Sequence, residues 1–128
     1  VTSTQYQPGV CNIGGPEVQR RKQVAQLGSV LFIAYAIFAF YTDMQSASAA
    51  LSFIPAMLAA VGFVQSRRKF CFAFGLLGTF NFVETGKLSK VASPADIAAD
   101  RRAALIIIGQ SFLLALAATS LLLFAISL

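Results

Sequence analysis

Three long stretches of this chain carry no charged side chain: Val24 to Tyr41 (VAQLGSVLFIAYAIFAFY), Ala47 to Val64 (ASAALSFIPAMLAAVGFV) and Ala103 to Leu128 (AALIIIGQSFLLALAATSLLLFAISL). A helix crosses the hydrocarbon core of a bilayer with about 20 mostly apolar residues, and about 17 is the lower limit. The first two stretches sit near that limit, and the third is long enough to cross with tilt. The link TDMQS between the first two is too short for anything but an antiparallel hairpin. The pattern predicts an all-α integral membrane protein in one domain over residues 1–128. Its three transmembrane helices, at 24–41, 47–64 and 103–128, form a helical hairpin followed by a long C-terminal helix. A segment at 1–15 and a loop at 67–93 lie outside the spans.

Both outer helices are expected to begin before the membrane. In GGPEVQRRKQ, Pro16 suits a first helical turn and Glu17 complements the positive helix end. In SPADIAADRR, Ser93 reads as N-cap, Pro94 as the first helical residue and Asp96 as a capping-box partner. The last helix should therefore run unbroken from about Pro94. Glu17, Glu84, Asp96 and Asp100 all read as solvated or capping carboxylates.

The loop holds the least ordinary stretch, RRKFCFAFGLLGTFNFVETGK, from Arg67 to Lys87. Phe70, Phe72 and Phe74 alternate with Cys71 and Ala73, and Phe80 and Phe82 flank Asn81. Period two is a strand signature, with GLLG as the turn; a short interfacial helix and a re-entrant loop are the alternatives. Open strand edges are not tolerated in hydrocarbon unless covered. The expectation is an irregular or hairpin-like aromatic segment at the cytoplasmic interface. A fourth span at residues 70–83 is rejected, because fourteen helical residues reach only about 21 Å.

Charge fixes the expected orientation. All ten Lys and Arg fall in three clusters: Arg20 to Lys22; Arg67, Arg68, Lys69, Lys87 and Lys90; Arg101 and Arg102. With a cytoplasmic N-terminus every one lies inside, the outer loop carries only Asp43, and the C-terminus ends outside, as the positive-inside rule requires. The net charge of +5 is thus spread as a membrane protein spreads it. It points to anionic lipid headgroups and not to nucleic acid, for which no motif is present. The first 19 residues lack the layout of a cleaved signal peptide, so the first span is expected to act as an uncleaved anchor.

Composition narrows the chemistry. Residues are 57% hydrophobic and 12% charged, against about 25% charged in soluble domains. There is no histidine and no tryptophan, which removes the commonest metal ligand and neutral-pH proton shuttle. No nucleophile motif and no apolar carboxylate pair is present, so the chain does not read as an enzyme, and no metal or cofactor is expected. Cys11 and Cys71 both fall near the membrane surface, where they are separate buried thiols, a mutually packed pair or a reversible redox pair. Two thiols alone make a poor metal site. Within the spans, Gln110 and Ser111 are the polar residues with a candidate role. Ser52, Ala56 and Ala60 form a small-residue stripe suited to close helix packing, and Ser111 with Ala115 begins another. Pro55 is expected to kink the second span, with Ser48 or Ser52 relieving the freed carbonyl.

CNIGGPEVQRR, RRKFCFAFGLLGTFNF and DRRAALIIIG together resemble a group of small, uncharacterised bacterial membrane proteins. The resemblance implies an inner-membrane location, implies no activity, and suggests that the two Cys-containing segments form one unit.

The functional expectation is a non-enzymatic accessory or scaffold subunit of a larger membrane assembly. Phe70, Phe72, Phe74, Phe80 and Phe82 would contact the protein partner, and Arg67, Arg68, Arg101 and Arg102 would meet lipid or partner charges. One alternative is a homo-oligomeric channel or small transporter lined by Gln110 and Ser111. Another is a thiol-based redox or sensor protein using Cys11 and Cys71.

Overall fold

The computed structural model describes residues 8–80, 89–91 and 93–128. Its elements are α1 (Gly15–Tyr41), α2 (Ser46–Ala49), a 3₁₀ turn (Ala50–Ser52), α3 (Phe53–Arg68), α4 (Phe72–Leu77), β1 (Thr79–Phe80), β2 (Ser89–Lys90) and α5 (Pro94–Ser127). Among the described residues three helices are long and apolar enough to cross a membrane: Gly15–Tyr41, Ser46–Arg68 and Pro94–Ser127. The chain is an all-α membrane protein with three candidate spans.

The helix ends follow the local chemistry. α1 starts after Gly14 with Pro16 in its first turn and Glu17 close behind. α5 starts after Ser93 in extended conformation, although the Ser93 side chain makes no capping bond. The second span is not uniform, since its 3₁₀ turn lies just before Pro55. A proline lacks the N–H for its helical bond and crowds the carbonyl four residues back, here Leu51. The 3₁₀ turn is where the chain absorbs that conflict. Ser48 accepts the Tyr35 hydroxyl on its carbonyl at 2.7 Å. The Ser52 hydroxyl is buried with no hydrogen-bond partner among the described residues and makes no bond to the freed carbonyl.

α3 is the central helix. α1 packs along one side of it and α5 along the other, while α1 and α5 hardly meet. Lipid-solvated helices gain little from apolar burial against each other, so close approach through small residues is what holds them. At the α1–α3 crossing, a Cβ on Gly28 would lie 2.4 Å from the Ala59 nitrogen, and one on Gly62 would lie 2.5 Å from the Ala25 nitrogen. The two backbones meet where no side chain fits. On the other side, Ser52, Ala56 and Ala60 of the predicted stripe are buried, as are Ala104, Ile107, Ser111 and Ala115 of α5. Phe53 and Phe112 add an edge-to-face contact with centroids 5.4 Å apart. Ser111 and Thr119, like Ser52, bury hydroxyls without partners among the described residues.

The aromatic segment departs from the expected hairpin. Phe72–Leu77 is helical, begun by an extended Cys71 and ended by Gly78 in the left-handed region at φ 72°. Phe70, Phe72 and Phe74 therefore do not alternate across a strand. A short antiparallel ladder does form one step later, pairing Thr79 with Lys90 and Phe80 with Ser89. Phe82 lies outside the described residues. Period two misleads here because the first phenylalanine belongs to the core and only the next two belong to the helix.

Candidate functional site

The N-terminal end of α1, the C-terminal end of α3 and the start of α5 meet at one end of the bundle, and residues 9–13 with α4 cover it. The cover is held by polar side chains inside the protein. Asn12 is fully buried. Its Nδ2 donates to the Cys71 carbonyl at 3.1 Å, and its Oδ1 accepts the Cys71 N–H at 2.7 Å. The Asn12 N–H in turn donates to the Lys69 carbonyl at 3.3 Å. One amide thus satisfies both backbone groups of a residue that belongs to no helix, groups that would be costly to bury bare.

Two further residues complete the lock. Gln65, buried in the last turns of α3, accepts the Phe72 N–H on Oε1 at 3.0 Å, which ties α4 to the end of the span. Asp100 is fully buried and accepts the Gly9 N–H at 2.7 Å. This carboxylate is not the solvated residue the sequence pattern suggested, and Glu17 is buried as well. Glu17 pairs with Arg21 at 3.0 Å, one helical turn away. Arg21 also donates through Nη2 to the Cys71 sulfur at 3.0 Å and lies 5.9 Å from the centre of the Phe74 ring. It joins α1 to α4.

Phe70 is 1% exposed and sits in the core with Val64, Ala103, Ala104 and Ile107. It is a packing residue and not a surface contact. The close passage of α4 over it depends on Gly75, where a Cβ would fall 2.7 Å from the Phe70 ring and 2.9 Å from the Asp100 carbonyl oxygen. Phe72, Phe74 and Phe80 are half-buried, and Leu76 and Leu77 of α4 are exposed. Arg101 donates to the Leu76 carbonyl at 3.4 Å, so it braces α4, and Arg102 is exposed beside it.

The two cysteines lie in segments that Asn12 joins, and both are buried and free. Burial pushes the Cys11 thiol up from its ordinary value; the Ile13 backbone and the Lys69 charge offset part of the rise. Between the ordinary and the raised value the folded protein holds a proton that the unfolded chain has released. This contribution to stability is complete below the ordinary thiol pKa and is lost as pH rises through the raised one. Cys11 should therefore react slowly with maleimide at neutral pH, and its rate should climb at higher pH than that of a free cysteine. Peptide mapping of label across a pH series checks this, and a profile matching free cysteine would contradict it.

Gln110 and Ser111 are separated by the structure. Gln110 faces outward and accepts the Arg68 Nε–H on Oε1 at 3.1 Å, whereas Ser111 is buried among the helices. Arg67 lies 5.8 Å from the centre of the Phe63 ring. Sequence alone assigns Asn12 and Gln65 no role, places Arg21 only in a basic cluster, and reads Asp100 as a solvated or capping carboxylate. Only the Glu17–Arg21 spacing of one turn signalled any part of this network. Among the described residues no group of three or more His, Cys, Asp or Glu side chains is placed to hold a metal.

Comparison of the chain with known protein families, with curated proteins and with solved structures finds no match in any of the three.

Proposed function

We propose that this chain is a non-enzymatic accessory or scaffold subunit of a larger membrane assembly in a bacterial inner membrane, its covered end facing the cytoplasm. The observation that carries the reading is the construction of that cover. A cover that only filled space would be expected to be apolar throughout. This one is fixed by buried, directional bonds from Asn12, Gln65 and Asp100, and it presents α4 with Leu77 72% exposed. A rigid apolar shelf outside the spans suits a docking surface, since a preordered surface loses little entropy on binding. The half-buried Phe72 and Phe74 would form the shelf's inner edge, and Arg101, bonded to α4, would supply charge beside it.

The test is co-purification from membranes in mild detergent. Leu77→Asp, and Phe72→Ala with Phe74→Ala, should release the partner while the chain stays inserted. Tyr41→Ser at the opposite end should keep it. An unchanged set of co-purifying proteins in the Leu77 variant would refute the reading.

A further inference from the structure

The layered arrangement of the spans leaves a crevice over α3 between its two neighbours. Because α1 and α5 flank α3 and hardly touch each other, a groove of about 650 Å³ runs between them. Ala56, Ala59 and Ala60 line its floor, Ser29 and Val30 of α1 one wall, and Leu114 and Ala118 of α5 the other. A second cavity, about 420 Å³, continues it toward the covered end and shares Phe63 and Leu114 with it. Arg67, Arg68 and Gln110 line this second part. Both volumes fall in the range of about 300–1,000 Å³ typical of ligand sites.

From this geometry we infer that the groove is a binding site for an anionic phospholipid, with an acyl chain along the alanine floor and the phosphate on Arg67 and Arg68. The occupant follows from the charge at the mouth. Arg68 spends its Nε–H on Gln110, which draws the side chain down along α5 and leaves Nη1 and Nη2 to grip an anion. Arg67 is steered over the Phe63 ring on the groove's rim. Among the described residues neither guanidinium has a carboxylate partner. Two arginines at the end of a span, above an apolar trough and with no acid between them among the described residues, match a phosphodiester headgroup of net negative charge better than a zwitterionic one, whose cation they would repel. Guanidinium forks bind phosphate oxygens in pairs. A transmembrane helix of a second copy would fill the trough but leave both arginines without an anion.

Native mass analysis tests the site, with the full chain in phosphatidylcholine bilayers doped with phosphatidylglycerol. The wild type should retain phosphatidylglycerol selectively. Arg67→Gln with Arg68→Gln should weaken retention at least about 10-fold, on the scale expected for two interfacial charges. Ala118→Phe, which keeps both charges and fills the trough, should lower it as well. Arg20→Gln with Lys22→Gln, both exposed on α1, removes the same charge elsewhere and should leave retention intact. The inference is overturned if that control loses lipid equally, if phosphatidylcholine is held as well, if Ala118→Phe has no effect, or if the protein is a dimer that holds no lipid.

Discussion

Gly28→Leu is expected to open the α1–α3 hairpin and to cause the largest loss of stability of any single change considered. A Cβ at this position would lie 2.4 Å from the Ala59 nitrogen and 2.8 Å from its Cα. Those are backbone atoms, so no rotamer change can relieve the clash and the helices must separate. Overpacking a core by extra methylenes costs about 1–3 kcal/mol; displacing backbone across a helix crossing costs more. Separation also undoes the neighbouring contact, where Gly62 faces Ala25 and the Arg21 carbonyl. The measurement is the thermal unfolding midpoint in detergent, compared with Gly109→Ala. Gly109 has nothing within 4 Å of the added carbon, and alanine is the better helix former, so that variant should be unchanged or slightly more stable. A Gly28→Leu midpoint equal to that of the wild type would show that the crossing is not as drawn.

The second large effect is expected at Asn12. Alanine there leaves the Cys71 N–H buried without a partner, at about 1–3 kcal/mol, and strips one of two bonds from the Cys71 carbonyl, which keeps the Gly75 N–H at 3.0 Å. Aspartate could still accept from the Cys71 N–H, but it would set a carboxylate oxygen against the Cys71 carbonyl. Both substitutions should loosen the cover and leave the spans in place, since the bonds of the Asn12 side chain run to Cys71, outside the spans. Labelling of Cys11 and Cys71 should accelerate at least about 10-fold, because each 1.4 kcal/mol of lost protection multiplies the open population tenfold. Hydrogen exchange at Phe72 and Gly75 should rise in parallel. If the thiols stayed as protected as in the wild type, Asn12 would not be the lock.

These two positions contrast in how they bear on the proposed roles. A Gly28 variant should damage the trough proposed for lipid, because α1 forms one of its walls. An Asn12 variant should damage the α4 shelf and leave the trough intact. Partner release without lipid loss in Asn12→Ala would therefore separate the two surfaces.

The sequence by itself determined that three helices are long and apolar enough to cross a membrane and that α5 starts at Pro94. These are local properties: uncharged length against bilayer thickness, and proline at a first turn. It also marked the Ser52, Ala56 and Ala60 stripe, because helical period alone places those residues on one face. The tertiary structure decided everything that depends on which distant segments meet. Phe70 is core and Phe72 and Phe74 are helical because Gly75 lets α4 fold back across Phe70, a contact invisible to a period-two count. Asp100 and Glu17 are buried because residues 9–13 and Arg21 close over them. Gln110 and Ser111, adjacent in the chain, point about 100° apart around α5, so one meets Arg68 and the other the bundle interior. Above all, the sequence could not show that α1 and α5 lie on opposite flanks of α3. Three apolar helices pack equally well by composition as a closed triangle or as an open layer, and only the small-residue crossings at Gly28 and Gly62 choose the layer's first edge.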